Sequence, residues 1–120
     1  MSNAAPLCRL ADIADPGSLA FSIGDGDWPL RGFLVRQGAE VFAYVNRCPH
    51  AGHPLNWRPD DFLTPDHTLI MCRSHGALFE TRDGRCVAGP CVGRSLQALN
   101  VRIENEVVLL DEDQELDRFV

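Results

Sequence analysis

Short apolar segments separated by turn residues run along the whole chain, and this pattern limits the folds that the chain can adopt. Eight prolines and ten glycines are spread through the sequence, which contains no long apolar stripe with a 3.6-residue period. A helical bundle needs such a stripe, so the pattern argues against one. The segments are rich in β-branched and aromatic residues, which favour strands. We predict strands at residues 18–23, 32–36, 41–46, 68–72, 77–80, 85–87, 98–103 and 107–110.

Turn-forming residues connect three pairs of these predicted strands, at 37–40, 81–84 and 104–106. The second connection ends in Asp83 and Gly84, and the glycine supplies the positive φ angle of a tight turn. A length of 120 residues suits one core, because two independent cores would each need roughly 50 residues or more. The sequence therefore predicts a mostly β fold, a small sandwich or barrel, in a single domain over residues 1–120.

The charged residues indicate which partners to expect. There are 17 aspartates and glutamates against 11 arginines, with no lysine, which gives a net charge of −6. Residues 104–120 account for this excess, and we interpret them as a solvated acidic C-terminal edge and tail, with docking of a basic partner as the alternative. Because the sequence contains no clustered basic face, we expect no nucleic-acid partner.

The sequence also indicates where the protein works. No segment approaches the ~18 consecutive apolar residues that a membrane-spanning helix requires. The N-terminus has neither the basic stretch nor the apolar run of a secretory signal. We therefore expect a cytoplasmic protein with no membrane partner.

Five cysteines and four histidines carry the clearest chemistry in the chain. An odd number of cysteines does not make a closed disulfide framework, and cysteines interleaved with histidines favour metal binding. Cys48 and His50 are separated by one residue. A second pair follows after 21 intervening residues, and two residues separate its cysteine from its histidine. Each pair begins where a predicted strand ends and combines a thiolate with an imidazole, so that a loop can direct both at one inorganic centre. The four predicted metal ligands are Cys48, His50, Cys72 and His75.

Two kinds of centre are compatible with two cysteines and two histidines. A mononuclear zinc ion takes this ligand set, although zinc sites commonly pair like ligands at other spacings. In a [2Fe–2S] centre of this composition, one iron takes both thiolates and the other takes both imidazoles. Two similar loops that each donate one cysteine and one histidine suit that symmetry. The spacing therefore favours the cluster and leaves a structural zinc domain as the alternative.

The two loops resemble the signature of Rieske iron–sulfur proteins, Cys-Pro-His followed by Cys-x-x-His-Gly. The resemblance extends over residues 7–110 and includes 84–90, which is similar to the family's segment that closes over the cluster from a third side. It implies a small Rieske-like β-sandwich with a cluster-binding subdomain made of two ligand loops, within residues 46–91.

The same resemblance assigns a role to each predicted ligand. Cys48 and Cys72 would hold the inner iron of a Rieske-type [2Fe–2S] cluster, and His50 and His75 would hold the outer iron. The charges of two ferric ions, two sulfide ions and two thiolates cancel, so the oxidised cluster is neutral. The one-electron reduced cluster carries a single negative charge. The site has to accommodate only that charge, which suits an electron carrier.

The chain departs from the high-potential Rieske proteins of respiratory and photosynthetic complexes at four positions. Those proteins have a further, disulfide-bonded cysteine in each loop, where this chain has His53 and Ser74. They also have a serine and a tyrosine that donate hydrogen bonds to sulfur, where this chain has Ala77 and Phe79. Fewer hydrogen bonds to sulfur destabilise the reduced state, so we expect a low potential and the ferredoxin or oxygenase branch of the family.

We therefore expect a soluble one-electron carrier. Its expected partners are a reductase and a terminal oxygenase, in a dioxygenase or monooxygenase system; a redox-sensing or binding protein with the same cluster is the alternative. No nucleophile with an adjacent base and no pair of carboxylates is visible, so we predict no catalytic residue. Cys8, Cys86 and Cys91 are expected to be reduced thiols, with a Cys86–Cys91 disulfide as the alternative.

Overall fold

The computed structural model describes residues 4–24, 30–49, 54–56, 58–73 and 76–111. This part of the chain contains ten strands and one 3-10 helix, Leu10–Asp12. The strands are β1 (Ala4–Arg9), β2 (Gly17–Ile23), β3 (Leu30–Gln37), β4 (Glu40–Val45), β5 (Leu69–Met71), β6 (Leu78–Glu80), β7 (Cys86–Ala88), β8 (Ala98–Leu99), β9 (Val101–Glu104) and β10 (Val107–Asp111). The predicted mostly β fold is confirmed. Among the described residues, no helix is long and apolar enough to cross a membrane.

The described strands form three antiparallel sheets. The largest has the strand order β2-β3-β4-β8, and a second sheet has the order β1-β10-β9. A third and smaller sheet, β5-β6-β7, is built from the chain between β4 and β8. In sequence, the small sheet is therefore an insertion into the largest one.

Alternate side chains of β3 belong to two separate cores. Successive side chains of a strand project to opposite faces of the sheet. Phe33 and Val35 lie in one core, whereas Leu34 lies in the other. The core around Leu34 joins the largest sheet to β1-β10-β9 and is formed by Ile13, Leu30, Leu34, Ala43, Leu99, Val108 and Leu110. These two sheets make the predicted β-sandwich.

The core around Phe33 joins the sandwich to the small sheet. The Phe33 ring stacks on that of Phe62, with ring centroids 4.3 Å apart and an interplanar angle of 7°. Phe79 of β6 is buried in the same cluster, as are Cys48 and Cys72. Two of the predicted ligands thus lie where the small sheet packs on the sandwich.

The strand prediction is wrong in two places. Residues 98–103 form two strands, because β8 pairs with β4 and β9 pairs with β10, so that the chain passes from one sheet to another at Asn100. The sequence also did not predict β1, in which Pro6 weakens the strand signal. This strand lies at a sheet edge, where proline is tolerated, and its register shifts between Pro6 and Cys8.

The predicted acidic edge at residues 104–120 is described only as far as Asp111. Glu104 and Glu106 are exposed at the turn between β9 and β10, which agrees with a solvated surface. Residues 112–120 lie outside the described residues.

Candidate metal centre

The first predicted ligand loop starts where β4 ends, and Asn46 holds its two ends together. The Asn46 side-chain oxygen accepts a hydrogen bond from Leu55 N at 2.8 Å, and the side-chain nitrogen donates to Asn56 Oδ1 at 3.0 Å. The backbone N–H of Asn46 donates to the Arg31 carbonyl on β3 at 2.9 Å. One asparagine thus fixes the start of the loop to its end and to the sandwich. Cys48 follows two residues later and is 1% exposed.

The second loop begins at Cys72, directly after β5, and backbone hydrogen bonds close it. Cys72 N donates to the Ala77 carbonyl, and Gly76 N donates to the Cys72 carbonyl, each at 2.9 Å. Gly76 has a φ angle of +72°, in the left-handed region that glycine adopts without steric cost. Cys72 is 0% exposed. Because the closed loop has a positive φ angle at position 76, it accounts for the glycine at the end of the Cys-x-x-His-Gly motif.

Arg73 joins the second loop to the first loop and to the segment between them. Its backbone N–H donates to the Leu55 carbonyl at 2.9 Å. Its guanidinium donates to the Leu63 carbonyl at 2.9 Å and pairs with the Asp61 carboxylate. Since Leu55 is itself bonded to Asn46, a continuous chain of hydrogen bonds connects the bases of the two loops.

The third segment, residues 84–96, packs against both loops. Gly89 has a φ angle of +94°, and a Cβ atom there would lie 2.8 Å from Ala77 Cα, so only glycine allows this approach to the second loop. On the other side, Arg94 Nη1 donates to the Pro49 carbonyl of the first loop at 2.9 Å. The structure thus brings the segment that includes residues 84–90 against the two loops.

Tyr44 anchors the turn that leads into this third segment. Its hydroxyl donates to the Thr81 carbonyl at 2.5 Å. Gly84 has a φ angle of +73°, as expected for the glycine of a tight turn. A Cβ atom at this position would also lie 2.8 Å from Tyr44 Cε1, so a larger residue would collide with the tyrosine ring. Burial, with Asp83 as a smaller cause, raises the pKa of Tyr44 well above its usual range. The hydroxyl therefore remains a donor at every physiological pH.

The structure brings two of the four predicted ligands, Cys48 and Cys72, into one buried cluster. His50 and His75 lie outside the described residues. Within the part of the chain that is described, no group of three or more His, Cys, Asp or Glu side chains is arranged to hold a metal ion. The four-ligand set therefore remains a prediction.

The other three cysteines have different surroundings. Cys86 and Cys91 are not joined by a disulfide, and Cys86 Sγ donates to the Ala88 carbonyl at 3.2 Å. Cys91 lies beside Cys48, with 3.8 Å between the two Sγ atoms, a contact that the sequence did not indicate. Cys8 lies on β1 in the sandwich, where burial, with Asp12 as a smaller cause, raises the pKa of its thiol.

The described donors fit an iron–sulfur cluster. Iron in such clusters is held by cysteine thiolates, and Cys48 and Cys72 are buried on adjacent loops that hydrogen bonds fasten to each other. A β-sandwich with a small inserted sheet and two such loops defines the Rieske class of iron–sulfur proteins. This chain belongs to the Rieske [2Fe-2S] domain family, whose sequence model matches residues 4–115. It binds a [2Fe–2S] cluster and transfers single electrons, as the sequence predicts.

Solved structures of Rieske-type ferredoxins are similar to this chain over almost their full length. The ferredoxin of carbazole 1,9a-dioxygenase from Nocardioides aromaticivorans IC177 is 26% identical, with a TM-score of 0.72, and the match covers 92% of this chain and 98% of that one. The Sphingomonas yanoikuyae B1 ferredoxin is also 26% identical, with a TM-score of 0.70 and coverage of 92% and 99%. No significant match was found among curated proteins.

An oxygenase component shares the fold as well. The terminal oxygenase of carbazole 1,9a-dioxygenase from Novosphingobium sp. KA1 is 24% identical, with a TM-score of 0.76. That match covers 95% of this chain but 31% of the oxygenase. At this identity the likeness concerns the fold alone.

Replacing Asn46 with alanine should loosen the first loop. Asn46→Ala leaves Leu55 N without its acceptor, which we expect to lower the free energy of unfolding by about 1–3 kcal/mol and to speed loss of the cluster to a chelator. Asn105→Gly is the control, because Asn105 is exposed in a turn with a φ angle of +51° that glycine accepts. Urea unfolding and the decay of visible absorption measure both effects. Equal behaviour of the two variants would contradict the role of Asn46.

Proposed function

We propose that this protein carries electrons from a reductase to a terminal oxygenase, with its cluster bound by Cys48, His50, Cys72 and His75. The observation that carries the proposal is the pair of buried cysteines on two loops joined by the hydrogen bond from Arg73 N to the Leu55 carbonyl. The bound cluster supplies a one-electron couple. The chain's own residues hold the thiolates in place and keep water from them.

The oxygenase partner is supported by the similar solved proteins. One of them is the ferredoxin of a dioxygenase, and this chain covers 98% of its length. Another similar structure, 19% identical with a TM-score of 0.70, is a complex of oxygenase and ferredoxin from carbazole 1,9a-dioxygenase.

A low reduction potential follows from the side chains near the second loop. Ala77 and Phe79 are buried, and neither has a hydroxyl that could donate to sulfur. Rieske centres span about −150 to +300 mV, and a site with few donors to sulfur belongs in the lower part of that range. Such a potential suits electron delivery to an oxygenase.

We also infer a cytoplasmic location. Cys8 and Cys86 are free thiols in the structure, and free thiols persist in reducing compartments. Fractionation of the source cells should recover the protein with cytoplasmic markers, and recovery among periplasmic proteins would contradict the inference.

The test of the carrier function is single-turnover mixing. The holoprotein is reduced without oxygen and mixed with the terminal oxygenase of its source organism, while its visible absorption is followed. We expect complete reoxidation at a rate that rises with oxygenase concentration, and a midpoint potential in the lower part of the family range. If the protein instead stays reduced in the presence of the oxygenase, but binds a partner in only one redox state, the result would support the alternative function of a redox sensor.

A further inference from the structure

We propose that the Cys91 thiol donates a hydrogen bond to the sulfur of Cys48 and so raises the reduction potential of the cluster. The third segment would then supply the sulfur with a donor that the second loop lacks. The inference rests on the proposed function, because it takes Cys48 to be a cluster ligand.

The distance and burial of the two sulfurs carry this inference. Cys91 Sγ lies 3.8 Å from Cys48 Sγ, within the range of a hydrogen bond between sulfur atoms. Both residues are 1% exposed, so water does not compete for the contact. A cysteine that binds iron is a thiolate and has no proton to donate. Cys91 is therefore the donor, and Cys48 is the acceptor.

Arg94 fixes the position of Cys91 against the first loop. Its backbone N–H donates to the Cys91 carbonyl at 2.9 Å, and its guanidinium donates to the Pro49 carbonyl at 2.9 Å. Pro49 follows Cys48 directly, so one arginine holds the backbones beside both sulfurs. The contact between the thiols is thus built into the fold.

A donor at this position favours the reduced cluster. Reduction adds one negative charge, part of which lies on the ligand sulfurs, and hydrogen bonds to these sulfurs stabilise it. The positions after the second predicted histidine offer no hydroxyl, since they hold Ala77 and Phe79. Cys91 approaches Cys48 from the third segment and partly compensates for that lack.

Cys86 provides a matched control. It is buried on the same segment, but its thiol donates to the Ala88 carbonyl at 3.2 Å within that segment. Removing this thiol creates a similar small cavity without taking a donor from Cys48. Cys86→Ala therefore separates the effect of the hydrogen bond from the effect of lost packing.

The experiment compares the holoproteins of Cys91→Ala, Cys91→Ser and Cys86→Ala with the parent by redox titration of their visible spectra. We expect Cys91→Ala to disfavour the reduced state about fivefold in the redox equilibrium constant, which is about 40 mV for one electron. Cys91→Ser should retain most of the parent potential, and Cys86→Ala should leave it unchanged. Resonance Raman spectra in H₂O and D₂O add a second readout, since iron–sulfur stretches of the parent should shift on exchange and those of Cys91→Ala should shift less.

The possible outcomes are distinct. Unchanged potential and unchanged isotope shift in Cys91→Ala would overturn the inference and leave the carrier function standing, whereas a parent protein without a cluster would overturn the proposed function. If Cys91→Ala fails to fold, Arg94→Met decides, because Arg94 is exposed and its loss releases the segment from Pro49. That variant should lower the potential and reduce the isotope shift; loss of the arginine's charge alone would change only the potential, so an unchanged isotope shift would overturn the inference.

Discussion

Cys72→Ser should abolish the visible absorption of the protein completely. Cys72 is 0% exposed, and the proposed cluster joins its loop to that of Cys48. Serine offers a hard oxygen in place of a soft thiolate, which iron–sulfur clusters do not favour. Loss of the cluster removes the link between the two loops, so we expect the free energy of unfolding to fall together with the visible absorption. Visible absorption, iron and sulfide content, and urea unfolding measure the two effects.

Cys86→Ser is the matched control for this experiment. Cys86 is also buried, but it is not a predicted ligand, and its thiol donates within its own segment. The control should keep its colour and its iron content. A coloured, stable Cys72→Ser protein would contradict the ligand assignment, and a colourless parent protein that contains zinc would support the structural zinc alternative.

The sequence predicts most of the sheet because its strand signals are local. Residues 32–36 and 41–46, for example, are rich in apolar, β-branched and aromatic residues on either side of a short turn, and they correspond to β3 and β4. The division of 98–103 into β8 and β9 is not local, since it depends on which strands lie on either side of Asn100. Pairing partners far along the chain decide where that strand ends, and a single sequence does not record them.

The same distinction applies to the site. The spacing of Cys48 and Cys72 relative to their histidines is a local signal, and it indicates two metal-binding loops from the sequence alone. The contact between Cys48 and Cys91 joins residues 43 positions apart, and the bond from Arg94 to Pro49 spans 45. These contacts exist only because the small sheet folds the third segment back over the first loop. In the sequence, the family resemblance of residues 84–90 indicates this approach, but it does not indicate which residues come into contact.

Phe62 connects the sandwich to the second loop, and its loss should be the most damaging change outside the predicted ligands. Its ring is 0% exposed and stacks on Phe33 of β3. Its carbonyl accepts a hydrogen bond from Met71 N, at the end of the strand that leads to Cys72, at 2.9 Å. Phe62 therefore joins the two layers of the fold, because its ring packs on the sandwich and its backbone carbonyl holds the strand that leads to one predicted ligand.

Phe62→Ala should lower the free energy of unfolding by about 3–5 kcal/mol, because it removes a large buried ring and leaves a cavity. Phe42→Ala is the control, since Phe42 is only partly buried and the Arg82 guanidinium lies over its ring, 5.6 Å from the centroid. We expect a clearly smaller loss there, since less apolar surface is taken from the core. Because the cluster holds the two loops together, the Phe62→Ala holoprotein should still be coloured but should lose its absorption faster in the presence of a chelator. Equal losses of stability in the two variants, measured by urea unfolding of the holoproteins, would show that Phe62 is not the connection between the sandwich and the cluster-binding loops.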